Sequence, residues 1–161
     1  MVLLAAGLLS SPARADSCKK VDTTIVTSFF VAGCTSPVGL CTAGVTASGP
    51  LAGTTRFTAL TLVPSPGAPD VLLYTGVLVI TTRKGTVTIE DRGLFNTVTG
   101  AFFELEQVVA GTGKFKHATG MLTSQGFATG TGFSGTITGM ICRGDHEEDR
   151  DDHDRDDRDG D

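Results

Sequence analysis

The chain reads as a single-domain, all-β protein built of antiparallel strands. Three observations predict this class. Short segments rich in Thr, Val and Ile alternate with Gly, Pro, Ser and Asp clusters from residue 21 to residue 142. No stretch among them makes a credible helix. Setting aside a leader and a tail leaves about 125 residues, the usual size of one core. Strands spaced in this way close a barrel or a sandwich.

Both ends are set aside on composition. Residues 1–15 are an apolar run that passes Pro12 and ends in Ala13-Arg14-Ala15, a small-x-small cleavage pattern. This predicts a secretory signal peptide at 1–15, cut before Asp16, and a secreted, periplasmic or extracellular product. Residues 143–161 hold eleven acidic and four basic side chains; the remainder holds seven and nine, so the net charge of −5 comes from the tail. Such a segment buries too little apolar surface to fold and is expected to be a disordered acidic tail, 143–161, behind a β domain at 16–142. No other apolar run is long enough to span a bilayer, which predicts no transmembrane segment. The nearly balanced domain offers no basic face for nucleic acid.

Within the domain, strands are expected at 21–30, 54–63, 71–82, 86–91, 101–110, 121–129 and 133–141, with an eighth near 94–98. Arg83-Lys84-Gly85 makes a tight hairpin, and the Pro/Gly-rich stretch 64–70 a second reversal. Side chains alternate faces with period two, so Val87 and Ile89 oppose Thr88 and Glu90 on a half-buried strand. Phe133, Ile137 and Ile141 share one face of the last strand, with Gly135 and Gly139 leaving room for the taper or bend of a small barrel. Residues 71–80 are apolar on both faces. Such a strand is covered twice, either by the rest of its own chain or by a second copy, which makes a homo-oligomer one of two arrangements open to it.

Four cysteines suit an exported protein. Three pairings are possible. Cys34 and Cys41 bracket a short loop with Pro37 and Gly39, and Cys18 and Cys142 stand at the two ends of the strand region, so the local plus end-to-end pairing is preferred. Zinc is the rival reading, weakened by the lack of a C-x-x-C pair and by His117 being the one histidine outside the tail; no metal or cofactor is expected.

Several strings resemble functional motifs without their context. Gly130-Thr131-Gly132-Phe133-Ser134-Gly135 matches G-x-G-x-x-G but runs into a strand, where a dinucleotide site needs a helix. Arg143-Gly144-Asp145 matches an adhesion tripeptide on an exposed tail. The tail lacks the spacing of a calcium loop. His117 reads as a surface loop histidine without a nucleophile elbow. Glu104 and Glu106 share a face, but with Phe103, Leu105 and Val109 on the other they are expected to point to solvent. Asp91 shares parity with Val87 and Ile89, so it is expected to look into the mouth of a barrel. Tyr74 and Arg56 are the other polar-headed strand residues expected to face a cavity. No catalytic residue is assigned.

The residues Val108-Val109-Ala110-Gly111-Thr112-Gly113-Lys114-Phe115, then Ala118-Thr119-Gly120, then Phe133-Ser134-Gly135-Thr136-Ile137-Thr138-Gly139 form one pattern. It resembles the C-terminal half of the allene oxide cyclase-like and dirigent-like β-barrel superfamily, in particular its small secreted bacterial members of unassigned role. Gly111, Gly113, Phe115 and Gly120 then form a structural turn in which Phe115 plugs a barrel end. The resemblance implies a closed, eight-stranded antiparallel barrel with an apolar cavity, often as a trimer. The expected function is binding of a small apolar or aromatic molecule in the barrel. The alternatives are a cyclase- or dirigent-like enzyme that steers cyclisation or coupling of a bound reactant, and a non-catalytic envelope or matrix protein whose acidic tail binds cations.

Overall fold

A computed structural model describes residues 17–143. The expected leader, all but Arg143 of the expected tail, and with them most of the Arg-Gly-Asp string lie outside the described residues. Eight antiparallel strands follow one another around a closed barrel: β1 (Ser17–Phe29), β2 (Cys41–Thr46), β3 (Gly53–Ser65), β4 (Ala68–Thr82), β5 (Gly85–Asn96), β6 (Ala101–Gly111), β7 (Thr119–Ala128) and β8 (Gly132–Arg143). Each strand pairs with its sequence neighbour, and β8 closes on β1 over twelve residue pairs, from Ser17↔Arg143 to Ser28↔Gly132. Closure leaves no sheet edge.

The all-β, eight-stranded barrel agrees with expectation, but the identity of the eighth strand does not. Residues 94–98 supply no separate strand: β5 runs unbroken from Gly85 to Asn96, so Leu94 and Phe95 continue it. The additional strand is β2. It was hidden because its inward positions, Thr42 and Thr46, are polar while its Val45 faces outward, so period two shows no apolar core stripe. At the other end, β8 includes Arg143, paired with Ser17, so the first residue of the expected tail belongs to the barrel.

Both disulfides have the preferred pairing. Cys18 and Cys142 are directly opposed on β1 and β8, and Cys34–Cys41 ties the loop that leads into β2. Two bulges keep the inward faces in phase. Leu60 is an extra residue between the pairs Ala59↔Gly76 and Thr61↔Thr75, and Val109 an extra residue between Ile89↔Val108 and Thr88↔Ala110. Without the first, Leu62 would turn out of the barrel, because a one-residue slip exchanges the two faces.

One end of the barrel is packed shut. The short 3-10 turns Gly49–Leu51 and Gly113–Phe115 drive Leu51 and Phe115 into it, and both side chains are fully buried beside Val21, Ile80, Val87 and Ile141. A turn at Gly113–Phe115 thus seats the Phe115 ring in this end. Gly111 lies so close to Phe115 that a Cβ would meet its backbone at 2.3 Å, and Gly113 adopts φ +56°. A Cβ on Gly120 would meet the Met140 carbonyl at 2.4 Å. His117 follows on an exposed stretch with a left-handed φ of 60°.

The outer wall carries apolar side chains as well. Register aligns Val63, Leu73, Leu94 and Phe103 in one row across β3 to β6, and all four are exposed.

Candidate functional site

At the end away from Phe115 the barrel is hollow. The cavity has a volume of about 280 Å³ and is bounded by the ends of all eight strands nearest the β1–β2, β3–β4, β5–β6 and β7–β8 connections. Its walls are mostly apolar. Phe133 stands at the centre of an aromatic group, making edge-to-face contacts with Phe29, Phe95 and Phe102 at centroid distances of 5.3, 5.9 and 5.5 Å. Such geometry sets the positive ring edge against the negative ring face.

The polar part lies where the cavity meets the packed core. β4 brings Tyr74, β5 brings Asp91, and β6 brings Glu104 and Glu106, with Ser124 from β7 below. Tyr74, Asp91 and Glu104 line the cavity. Glycines make the arrangement possible. Gly93 is the register partner of Tyr74, and a Cβ there would meet the phenol ring at 2.4 Å; a Cβ on Gly76 would meet the ring of Phe57 at 2.3 Å. The rings lie flat over these two bare backbone positions, edge-to-face to each other at 6.3 Å.

Tyr74 donates its hydroxyl proton to Glu104 Oε1 at 2.6 Å, and the Ser124 hydroxyl donates to Glu106 Oε1. Two carboxylate oxygens, Asp91 Oδ1 and Glu106 Oε2, are buried without a hydrogen-bond partner. Among the described residues no Lys, Arg or His lines the cavity. Burial in an apolar surround disfavours the charged form, and neighbouring carboxylates disfavour it further. Burial therefore pushes Glu104 up to about 6, against the opposing hydrogen bond from Tyr74. Burial, then the charge of Glu104, pushes Glu106 up to about 8. Asp91 is held well above the ordinary carboxylate range by burial and then by Glu104 and Glu106, and burial followed by Glu104 raises the Tyr74 phenol. Near neutral pH the floor thus sets an ionised Glu104 beside a protonated Glu106, with Asp91 biased toward its protonated form, a proton acceptor close to a proton donor. These groups form one interacting set, in which protons are shared among sites.

Of the residues singled out in the sequence, Asp91 and Tyr74 come together at the cavity. Arg56 does not. It lies on the outer face of β3, where its guanidinium stacks 4.4 Å from the Phe30 ring centroid and donates to the Gly33 carbonyl at 3.1 Å, because inward parity on this strand belongs to Thr55 and Phe57. Glu104 and Glu106 reverse the expectation that they point to solvent. They face inward, while Phe103, Leu105 and Val109 face outward and are exposed. The signal for the pair was present in their shared parity, but which side was interior was misjudged from the apolar residues opposite. No grouping of three or more His, Cys, Asp or Glu among the described residues could hold a metal ion. The Gly130–Gly135 string spans the end of the β7–β8 turn and the first residues of β8, with the Thr129 amide donating to the Gly132 carbonyl at 2.7 Å.

Comparison with protein-family models, with curated proteins and with solved structures finds no match to this chain.

Proposed function

We propose that this protein is an exported carrier or receptor that binds a small apolar or aromatic molecule inside the barrel. The observation that carries the reading is the cavity itself: about 280 Å³ of space inside the open barrel end, with aliphatic and aromatic walls and a few polar groups converging at one side. Sites for small molecules have this composition, and this volume lies just below their ~300–1,000 Å³ range, enough for a body of one or two rings. The resemblance of the β6–β8 turn region to the allene oxide cyclase-like and dirigent-like barrels supports the same reading. Export is supported by two disulfides, which persist in oxidising compartments. No helix among the described residues is long and apolar enough to cross a membrane.

Naphthalene is a suitable neutral probe. The protein should quench or shift its fluorescence saturably, and Ala128→Trp, which fills the space from the lining of the cavity, should abolish the response while leaving the β-sheet circular dichroism spectrum intact. No saturable response from the parent protein, or an equal one from the tryptophan variant, would remove the reading.

An enzyme of the cyclase or dirigent kind would use the same walls and the same floor of ionised and protonated carboxyls as acceptor and donors. Conversion of a bound reactant, in place of its simple retention, distinguishes that second reading. A homo-oligomer belongs to the proposal too, with a second copy covering the outer row Val63, Leu73, Leu94 and Phe103. Sedimentation velocity is expected to give a multiple of the monomer mass that falls to the monomer for Leu94→Lys; a monomeric parent protein excludes it.

A further inference from the structure

The floor of the cavity has a chemical preference that its apolar walls do not share. Asp91 is 2% exposed, lines the cavity and has Oδ1 without a donor. Glu104 borders the same space, and its Oε1 accepts the Tyr74 hydroxyl. Glu106 lies directly beneath on the same strand, fully buried, with Oε2 also lacking a donor. Three carboxyls are thus gathered in an apolar enclosure with no basic side chain among the lining residues. A buried acceptor without a donor is costly, and a buried negative charge without a counter-charge more so.

The occupant that relieves both costs supplies N–H donors and positive charge at the floor and apolar surface above it. An anion meets repulsion from Glu104. A wholly apolar occupant leaves Asp91 Oδ1 without a donor. A quaternary ammonium brings charge but no N–H. The aromatic group around Phe133, at the mouth, then receives the apolar body.

Accepting the binding reading above, we infer that the natural ligand is a protonated primary or secondary amine on a one- or two-ring apolar body. Its ammonium group sits against Asp91 and Glu104, and its rings lie along Phe95, Phe102 and Phe133. Tyr74 holds Glu104 oriented as a positioning residue. The groups facing the ammonium are Tyr74 from β4, Asp91 from β5, and Glu104 from β6 with Glu106 below it. The other strands contribute aliphatic, aromatic and threonine side chains.

The test uses three molecules that share an indole ring and differ at the chain end: tryptamine (cationic), tryptophol (neutral) and indole-3-propionate (anionic). By isothermal titration calorimetry at neutral pH, tryptamine should bind about tenfold or more tighter than tryptophol, the worth of a hydrogen bond to a charged group, and indole-3-propionate weakest. Tryptamine affinity should rise between pH 5 and pH 8, with proton release on binding, as the carboxyls are drawn into their charged forms. Asp91→Asn and, separately, Glu104→Gln should each weaken tryptamine about tenfold while tryptophol changes about twofold or less. Equal or tighter binding of tryptophol, or an unchanged tryptamine affinity in both variants, overturns the amine assignment. If naphthalene binds and none of the indoles does, the amine assignment falls while the cavity reading stands. If naphthalene fails as well, it is the binding reading that has failed.

Discussion

Replacing Cys18 and Cys142 together by alanine is expected to be the most damaging covalent change available to this fold. The two residues are separated by 124 positions and face each other across the β1–β8 pair that closes the barrel. Every other strand pair joins neighbours in sequence, so its loop is short and its closure entropy small. The β1–β8 pair is the one contact whose loop is the whole domain. A cross-link there removes conformations from the unfolded chain, and for a loop of this length the chain-entropy estimate is about 5 kcal/mol. That is comparable to the whole net stability of an ordinary domain, which is on the order of 5–15 kcal/mol. Urea unfolding should therefore show the double variant losing most of its folded baseline at 25 °C. Cys34→Ala with Cys41→Ala, which opens a loop of only seven residues, should cost clearly less. Equal losses for the two bridges would contradict the closure argument.

The second large effect is on the pH dependence of stability. Asp91, Glu104 and Glu106 are held above their ordinary values, Glu104 to about 6 and Glu106 to about 8. In the unfolded chain these groups titrate near their ordinary values of 3.8 and 4.5. At a pH between the two sets of values the folded state keeps protons that the unfolded chain has released, so raising the pH favours unfolding. The stabilisation is fully present below about pH 4, where both states are protonated, and it is lost as the pH passes through about 6 and then about 8. The urea midpoint should fall steadily from mildly acidic to mildly alkaline pH, reflecting a loss of stability on the order of a few kcal/mol.

Glu106→Gln separates this contribution from every other charge. The amide oxygen still accepts the Ser124 hydroxyl, but the group no longer titrates. The difference in stability between parent and variant should therefore grow steadily from about pH 5 to the Glu106 value of about 8 and level off above it, with the variant the more stable at high pH. A difference that is constant across that window would show that Glu106 is not held protonated in the fold. The same linkage connects stability to the proposed ligand, because an ammonium group at the floor offsets the cost of ionising the carboxyls and should flatten the parent profile.

How much of this was legible in the residues can be judged strand by strand. Segments with an apolar inward face, such as Val87, Ile89 and Asp91 on β5 or Phe133, Ile137 and Ile141 on β8, announce themselves through period two. Strand β2 does not, because its buried positions are Cys41, Thr42 and Thr46 and composition does not reveal what makes them inward: Cys41 is tied to Cys34, and the Thr46 hydroxyl bonds to the Leu51 carbonyl in the plug turn. The hairpin at 83–84 is written in its sequence, and Gly85 takes the positive φ of 132° that the turn requires. The reversal in 64–70 is also written there, although the strands run further into it, to Ser65 and from Ala68, than its prolines suggest.

The cysteine spacing, the alternation within each strand and the Gly-Thr-Gly-Lys-Phe turn were determined by the sequence alone, because each rests on neighbours in the chain. Tertiary structure alone decided which side of each strand is inside. Period two says that Glu104 and Glu106 share a side and that Phe103, Leu105 and Val109 share the other, but it carries no sign; closure of β8 on β1 supplies the sign, and it turned the glutamates in and the apolar residues out. The same closure brought Tyr74, Asp91 and Glu104 from three strands to one cavity floor and left Arg56 outside it. A candidate site made from one or two side chains per strand has no local signature, since its members meet only after the sheet has curved into a ring.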